Sequence, residues 1–465
     1  MKITELKNKK IAILGYGKEG KSTERFLKKL EIFDYKILDK SIDLNYLDNL
    51  DDFDIIFKSP GISPYNNPEL LEVSDKIISQ AEILADNFEG KIIGITGTKG
   101  KSTTSTLIYE ILKELGYKVK LVGNIGNPVL DEIPLSPQGR KGEYDFVIYE
   151  LSSYMLEGLN LNIFIGLLNN IYDCHLDWHD GRKNYENAKF NVFKNAEHKL
   201  AGFELKKVGN AGLHSLQGLD FFGLDGKYSY KNNAFYINDK KILEDKNIAL
   251  NGEHNRKNIT GIIGILDIIG IFENPPSPLL KGGINFANID IIKKVLYEFT
   301  GLAHRQENIG IFKGVTFIND SIASTPESAI AAIKTFGEKI GTIFIGNEDS
   351  GFDLSELKET ILKYKIKNIV LFPETGEKIF GYFSKNMNFD EKIKYVEGNF
   401  ETKLFKTLSM EKAVKFAYKN TNIGEIVLLS TGAPSFNAKG SGRMPWKGFE
   451  EKGDLFKKYV EKYGK

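Results

Sequence analysis

Short apolar runs alternate with longer amphipathic stretches along most of the chain, and this alternation predicts strand–helix–strand units. Lys10 to Leu14 reads as a strand, Lys21 to Leu30 as a helix, and Tyr35 to Leu38 as a second strand ending at Asp39. Phe53 to Phe57 is a third strand, running into Ser59-Pro60-Gly61. Lys91 to Ile95 reads as a strand and Ser102 to Leu115 as a helix, followed by strands at Val119 to Val122, Phe146 to Tyr149 and Phe164 to Leu168. The last third alternates again: Val315 to Ile318, Thr342 to Ile345, Asn368 to Phe372 and Ile426 to Leu429, with helices such as Pro326 to Thr335 between them. Such a pattern belongs to α/β proteins built on mainly parallel sheets. At 465 residues the chain has room for about three domains, and the pattern divides at 1–90, 91–298 and 299–465.

Composition narrows the class. Hydrophobic residues make up 41% of the chain, enough for packed cores. The 63 basic and 62 acidic side chains leave a net charge of +1, so no global field favours nucleic acid or an anionic membrane. Cys174 is the single cysteine, which excludes an intrachain disulfide and suits a reducing cytoplasm. The charged start, Met1 to Lys10, leads into a strand rather than a signal segment, and no apolar run is long enough to span a membrane. A cytoplasmic monomer acting on small molecules is expected. Pro134 to Gly142 and Pro275 to Gly283, both rich in Pro, Ser and Gly, read as exposed loops without chemistry, and Ala201 to Gly218 as another surface addition.

Two glycine-rich turns carry the first chemical signals. Gly94-Ile-Thr-Gly97-Thr98-Lys99-Gly100-Lys101-Ser102-Thr103-Thr104 lies between a strand and a helix. Backbone N–H groups in such a turn, with the positive end of a helix behind them, receive phosphate. Lys101 reaches β/γ-phosphates and the Ser102 hydroxyl ligates Mg²⁺. The spacing has five residues, not four, between Gly94 and the Gly-Lys-Ser element, so it is a variant P-loop and marks a central ATP-binding domain. Earlier, Gly15-Tyr-Gly17-Lys-Glu-Gly20 matches Gly-x-Gly-x-x-Gly after a strand, with Asp39 about 20 positions on. That makes the first domain Rossmann-like; by itself the turn suits a nucleotide or a dinucleotide such as NAD, and an NAD-dependent oxidoreductase is the alternative it leaves open. The third domain repeats the Rossmann-like pattern.

Polar residues follow the central strands, where ligands of parallel sheets bind. Glu150 can hold Mg²⁺ or cap a helix. His175 can ligate a second metal, with Asp177 and His179 positioning it or capping the next helix, while Lys189 alone reads as a surface lysine. Asn255 and Asn258 are three residues apart on one helix face and can read an adenine edge or cap the helix. His304-Arg305 stands at a domain boundary, and Asn319-Asp320-Ser321 follows a strand, where it can bind a ribose.

Taken in order, Gly94 to Thr104, Gly123-Asn124-Ile125-Gly126, Glu150 to Ser153, His175 to Asp177, Ala188-Lys189, His254 to Asn258, His304-Arg305 and Asn319 to Ser321 resemble the Mur ligases, the ATP-dependent amide ligases of peptidoglycan precursor synthesis. Within them the chain looks most like the branch that adds glutamate to UDP-N-acetylmuramoyl-L-alanine. The resemblance implies roles. Gly15, Gly17, Asp39 and Gly61 would hold the UDP group and Asn124 would face the muramoyl substrate. Gly97 through Thr103, Asn255, Asn258, Arg305 and Asp320 would hold ATP. Lys101, Glu150, His175 and Lys189 would be catalytic; Ser102, Glu150, His175 and Lys189, the last as a carbamate, would hold two Mg²⁺. Ser324, Ser435 and Phe449 would meet the incoming amino acid. The family's reaction activates a carboxylate as an acyl phosphate, which the amine of glutamate then attacks. Three positions depart from the family pattern. Cys174 stands where an acid is usual, Ile322 where many glutamate-adding members have lysine, and Asn437 to Trp446 is longer than the usual loop. Ile322 cannot pair with a carboxylate, so recognition of glutamate must come from elsewhere and the stereochemistry of the acceptor is left open: D-glutamate is favoured, with L-glutamate or another amino acid the alternative. A non-catalytic, nucleotide-gated descendant of such a ligase is a third class that these departures leave open.

Overall fold

A computed structural model describes residues 1–124, 128–133, 143–172, 174–207, 217–250, 252–273, 286–349, 352–397, 400–435 and 446–465. The loops 134–142 and 275–283 lie outside the described residues, as do Ile125, Gly126 and 437–445. Contacts divide the chain into two compact units, Met1–Phe299 and Thr300–Lys465.

The first unit holds two sheets. Strands β1 (Ile11–Leu14), β2 (Tyr35–Leu38), β3 (Ile55–Lys58) and β4 (Ile77–Ile78) pair in parallel in the order β2-β1-β3-β4. All four residues of β1 are buried, as expected of a strand covered on both faces. The glycine turn after β1 leads into helix Lys18–Lys29, whose Phe26 and Leu27 pack on the sheet.

The second sheet has nine strands in the order β13-β12-β11-β10-β9-β8-β5-β7-β6. Its parallel heart is β5 (Lys91–Thr96), β6 (Val119–Gly123), β7 (Phe146–Glu150) and β8 (Asn162–Leu168), joined by β9 (Asn195–Gly202). Ile93, Ile95, Ile148 and Ile165 form its core with Ile108 and Ile111 of helix Lys101–Glu114 and Ile262 of helix Glu253–Ile268. The sheet continues through β10 (Leu219–Gly223) and β11 (Tyr228–Lys231) to β12 (Ala234–Ile237) and β13 (Lys240–Glu244), the last two paired antiparallel. The stretch read as a surface addition is partly interior: Ala201 ends β9 fully buried and Leu205 packs in the core.

In the second unit, β14 (Glu307–Phe312), β15 (Val315–Asn319), β16 (Ile340–Asn347), β17 (Asn368–Glu374), β18 (Lys392–Glu397), β19 (Phe400–Lys406) and β20 (Ile426–Leu429) are ordered β14-β15-β20-β16-β17-β19-β18. The inner strands are parallel and each edge pair is antiparallel. β16 is buried along all eight residues. Two α/β sheets in the first unit and one in the second carry the architecture. No helix among the described residues is long and apolar enough to cross a membrane.

Candidate nucleotide, metal and substrate sites

The turn after β5 needs its glycines. Gly97 has φ +152°, and a Cβ there would lie 2.9 Å from Asn169 Cβ. Gly100 has φ +83°, and its Cβ would fall 2.5 Å from Asn258 Oδ1. An L side chain is strained in the left-handed conformation and would also push the buried Asn258 away. The loop is pinned from beneath: the Thr98 N–H donates to Asn170 O (3.0 Å), the Lys99 N–H to Asn170 Oδ1 (2.9 Å), and Asn170 Nδ2 back to Lys99 O (3.1 Å). Thr98 Oγ1 lies 2.7 Å from the Tyr185 hydroxyl. Behind the loop, helix Lys101–Glu114 has no acid in its first turn, which leaves its positive end open to an anion.

Two ammonium groups converge on one loop carbonyl. Lys101 Nζ donates to Gly97 O (2.9 Å) and Thr98 O (3.1 Å), while Lys189 Nζ donates to the same Gly97 O (2.9 Å). Lys189 is not a surface lysine: it is 2% exposed on helix Arg182–Phe190. Burial holds its pKa well below the ordinary range and the charge of Lys101 lowers it further. His175 is lowered by the same causes, burial first and then Lys101 and Lys189. Lys101 on the loop, with the positive end of the helix behind it, suits a triphosphate.

Glu150 ends β7 with no exposure. Its Oε1 accepts from Ser102 Oγ (3.2 Å) and Asn124 Nδ2 (2.9 Å). Its Oε2 is buried and accepts from nothing among the described residues. A carboxylate oxygen without a donor, beside a hydroxyl, is a donor set that fits Mg²⁺. No group of three or more His, Cys, Asp and Glu that could hold a metal occurs among the described residues, so a metal here would need Ser102 and substrate oxygens as further ligands. Asn124 stands on Glu150. His179 is fully buried, with its Nδ1 3.2 Å from Glu157 Oε2 and its ring beside those of Tyr154 and Tyr185.

In the first layer, Gly15 sits at φ +87° against Ser59, and a Cβ on Gly20 would come within 2.1 Å of Gly15 O. Gly17 and Gly61 face open space: a Cβ on either would meet nothing within 4 Å. Asp39 is committed to the turn. Its Oδ2 accepts the Tyr16 N–H (2.6 Å) and its Oδ1 accepts the Ser41 N–H (2.8 Å) and hydroxyl (2.5 Å), bonds that hold its carboxyl below the usual range, the Ser41 hydroxyl foremost. Trp178 joins this layer to the central sheet, its Nε1 donating to Gly61 O (3.2 Å) and its carbonyl accepting from Ser63 Oγ (2.6 Å).

In the second unit, Asp320 accepts from Ser430 Oγ (2.7 Å) and the Gln306 N–H (3.2 Å) at the carboxyl ends of β15 and β20. Burial pushes its carboxyl up to about 6, against the opposing pull of those bonds and of Arg305 and Lys452. Lys452 is fully buried and donates to Thr431 Oγ1 (2.7 Å), and burial drives its pKa well down. Ser435 is buried and accepts from Asn347 Nδ2 (3.3 Å), Phe449 packs edge-on against His304 with ring centroids 5.9 Å apart, and Ser324 is exposed.

Residues 95–266 match the Mur ligase middle domain. A curated relative from Acetivibrio thermocellus, named UDP-N-acetylmuramoylalanine–D-glutamate ligase, is 31% identical over 98% of this chain and 97% of its own length. The chain belongs to the Mur ligase family. A protein of the same name from Clostridium botulinum strain Hall is 30% identical over the same shares. Among solved structures, MurF ligase from Thermotoga maritima in complex with ADP aligns with a TM-score of 0.52 at 16% identity, over 97% of this chain and 95% of that one. UDP-N-acetylmuramate–alanine ligase MurC from Thermotoga maritima aligns with a TM-score of 0.52 at 19% identity, over 98% and 99%. At those identities the likeness speaks for the fold.

Within this Mur ligase, two site features escaped the sequence reading. One is the contact of Asn258 with Gly100, which puts the helix Glu253–Ile268 on the triphosphate loop. The other is Lys452. Its signal was present: in helix Phe449–Gly464 it shares the face of the buried Gly453, Phe456 and Val460, and a lysine on an apolar helix face is a buried-charge signal.

Proposed function

We propose that this chain joins D-glutamate to UDP-N-acetylmuramoyl-L-alanine at the expense of ATP, in peptidoglycan precursor synthesis. The observation that carries the reading is the meeting of Lys101 and Lys189 on Gly97 O just after β5, with a buried Glu150 oxygen that no described residue donates to at the end of the neighbouring β7, in a family whose relatives bear this activity's name. In this reading the loop N–H groups and Lys101 hold the β- and γ-phosphates. Ser102 and Glu150 would hold Mg²⁺, and His175 with Lys189, the latter as a carbamate, would hold a second ion; the metal would withdraw charge from the phosphate oxygens. The γ-phosphoryl group passes to the alanine carboxylate, giving an acyl phosphate and ADP. The glutamate amine then attacks the acyl carbon, the C–N bond forms as the C–O bond breaks, and inorganic phosphate leaves with that electron pair while the amine proton passes to phosphate or solvent.

Lys189 supports the reading in a second way. Burial favours its neutral amine, the form that adds carbon dioxide to become a carbamate. A carbamate beside Lys101 would replace a repulsion by an attraction. Asn255, Asn258, Arg305 and Asp320 take the nucleoside side of ATP, the turn Gly15–Gly20 with Gly61 takes UDP, and Ser324, Ser435 and Phe449 take the amino acid. The enzyme is read as a cytoplasmic monomer.

The test is direct. Purified protein is incubated with ATP, Mg²⁺, UDP-N-acetylmuramoyl-L-alanine and either glutamate enantiomer, and phosphate release and product mass are followed. Release with D-glutamate and a product heavier by one glutamyl residue is expected. No release with either enantiomer overturns the proposal, and release with L-glutamate alone overturns the acceptor.

A further inference from the structure

A cavity between the first α/β layer and the central sheet has polar groups that the mechanism above does not use. Glu19, Lys58 and Gln80 line one part of it, and Ile78, Ala81 and Met155 another. Gln80 is 5% exposed. Its Nε2 is fixed by bonds to Glu19 O (2.9 Å) and Thr23 Oγ1 (3.0 Å), which orients the amide, and its Oε1 has no partner among the described residues. Lys58 Nζ donates to Ile62 O (3.0 Å) and keeps further N–H groups. Glu157, also in the lining, is shared by Tyr65 and His179.

The charges of this cavity are mixed and poorly hydrated. Burial pushes the Glu19 carboxyl up to about 7, against the pull of Lys58 and Lys18. Burial brings the Lys58 ammonium down to about 8, against Glu157 and Glu19. A site that penalises charge of either sign suits a neutral dipolar ligand with one donor and one acceptor.

Its position narrows the ligand. Glu19 lies in the first turn of helix Lys18–Lys29, directly after the open Gly17. Tyr154, another lining residue, has its ring 4.9 Å from that of His175. A sugar whose diphosphate rests on the glycine turn and whose acyl chain ends near His175 must pass this cavity. We infer that the cavity holds the acetamido group of the muramoyl sugar, with its N–H on Gln80 Oε1, its carbonyl oxygen on Lys58 Nζ and its methyl against Ile78, Ala81 and Met155. The assignment rests on the ligase reading and names the feature of the substrate that this chain selects.

The test compares UDP-N-acetylmuramoyl-L-alanine with its N-propionyl and free-amine analogues in the full chain. The wild type should prefer acetyl over propionyl in kcat/KM by about tenfold or more, the usual effect of one extra methylene. Met155→Ala should shrink that preference to about threefold or less. Lys58→Met should raise KM for the muramoyl substrate by roughly 10- to 100-fold, the value of a hydrogen bond to a charged group, while KM for ATP and glutamate stays put. Equal use of acetyl and propionyl by the wild type, a Met155→Ala enzyme with unchanged preference, or a Lys58→Met enzyme with unchanged muramoyl KM overturns the inference. So does a preference for the free amine, which would make the cavity a cation site. Turnover of none of the three analogues would overturn the ligase reading instead.

Discussion

Gly100 offers the sharpest quantitative test of the nucleotide site. Gly100→Ala introduces two separate penalties. The backbone sits at φ +83°, where an L residue costs about 1–2 kcal/mol. The new methyl would stand 2.5 Å from Asn258 Oδ1, and a buried amide forced aside costs about 1 kcal/mol more. The sum, roughly 2–3 kcal/mol, is about a 30- to 150-fold change in an equilibrium constant. Urea unfolding without nucleotide measures how much of it appears as lost stability. Calorimetric titration with ADP measures the part that appears as a displaced loop and lost affinity. Asn258→Ala in the Gly100→Ala background should return about 1 kcal/mol of stability, because it removes the clash and leaves the strained backbone. Gly61→Ala is the control: its methyl meets nothing within 4 Å, so stability should stay within about 0.5 kcal/mol. A Gly100→Ala protein that unfolds and binds ADP like the wild type refutes the argument, and so does a double variant that recovers everything.

Lys101→Ala should remain folded, since the Nζ bonds to Gly97 O and Thr98 O lie within the loop itself, yet lose about a hundredfold in kcat; full turnover in a steady-state phosphate-release assay would remove Lys101 from the reaction. Glu19 supplies a pH signature. Its carboxyl is raised from 4.5 to about 7, so the folded chain holds this proton more tightly than the unfolded one. That support for the fold is complete below about 4.5 and lost as pH rises through about 7. Melting curves should therefore show Glu19→Gln matching the wild type at pH 4 and exceeding it by about 3 kcal/mol at pH 8; an equal difference at both pH values contradicts the assigned burial. Ser63→Ala removes the 2.6 Å bond to Trp178 O and leaves a buried carbonyl short of a donor, so chemical denaturation should show a loss of about 1–2 kcal/mol. No loss would mean that Trp178 is held by its Nε1 bond to Gly61 O and by packing.

Much of the α/β order was legible because it rests on local physics. Ile11 to Leu14, Lys91 to Thr96 and Ile340 to Asn347 are apolar runs that only a doubly covered strand can bury. The glycines at 15, 97 and 100 mark turns that other residues cannot make at low cost. The hairpins β11–β12 and β12–β13 were missed, although Asn232-Asn233 and Asn238-Asp239 carry the two consecutive positive φ angles of tight hairpin turns. There the strands are short and half-exposed, so the apolar signal is weak.

What the chain's order of residues determined by itself was therefore the periodic elements, the phosphate-binding turns and the family likeness, since each depends on neighbours within a few positions. Tertiary structure alone decided the environment of single side chains. It buried Lys189 against Gly97, turned Asp39 into a brace for Tyr16 and Ser41, set Asn258 on Gly100, and left Glu150 Oε2 and Gln80 Oε1 without donors among the described residues. The reason is that hydration and hydrogen bonding at a given atom depend on residues tens of positions away, brought there only when the sheets stack and water is excluded.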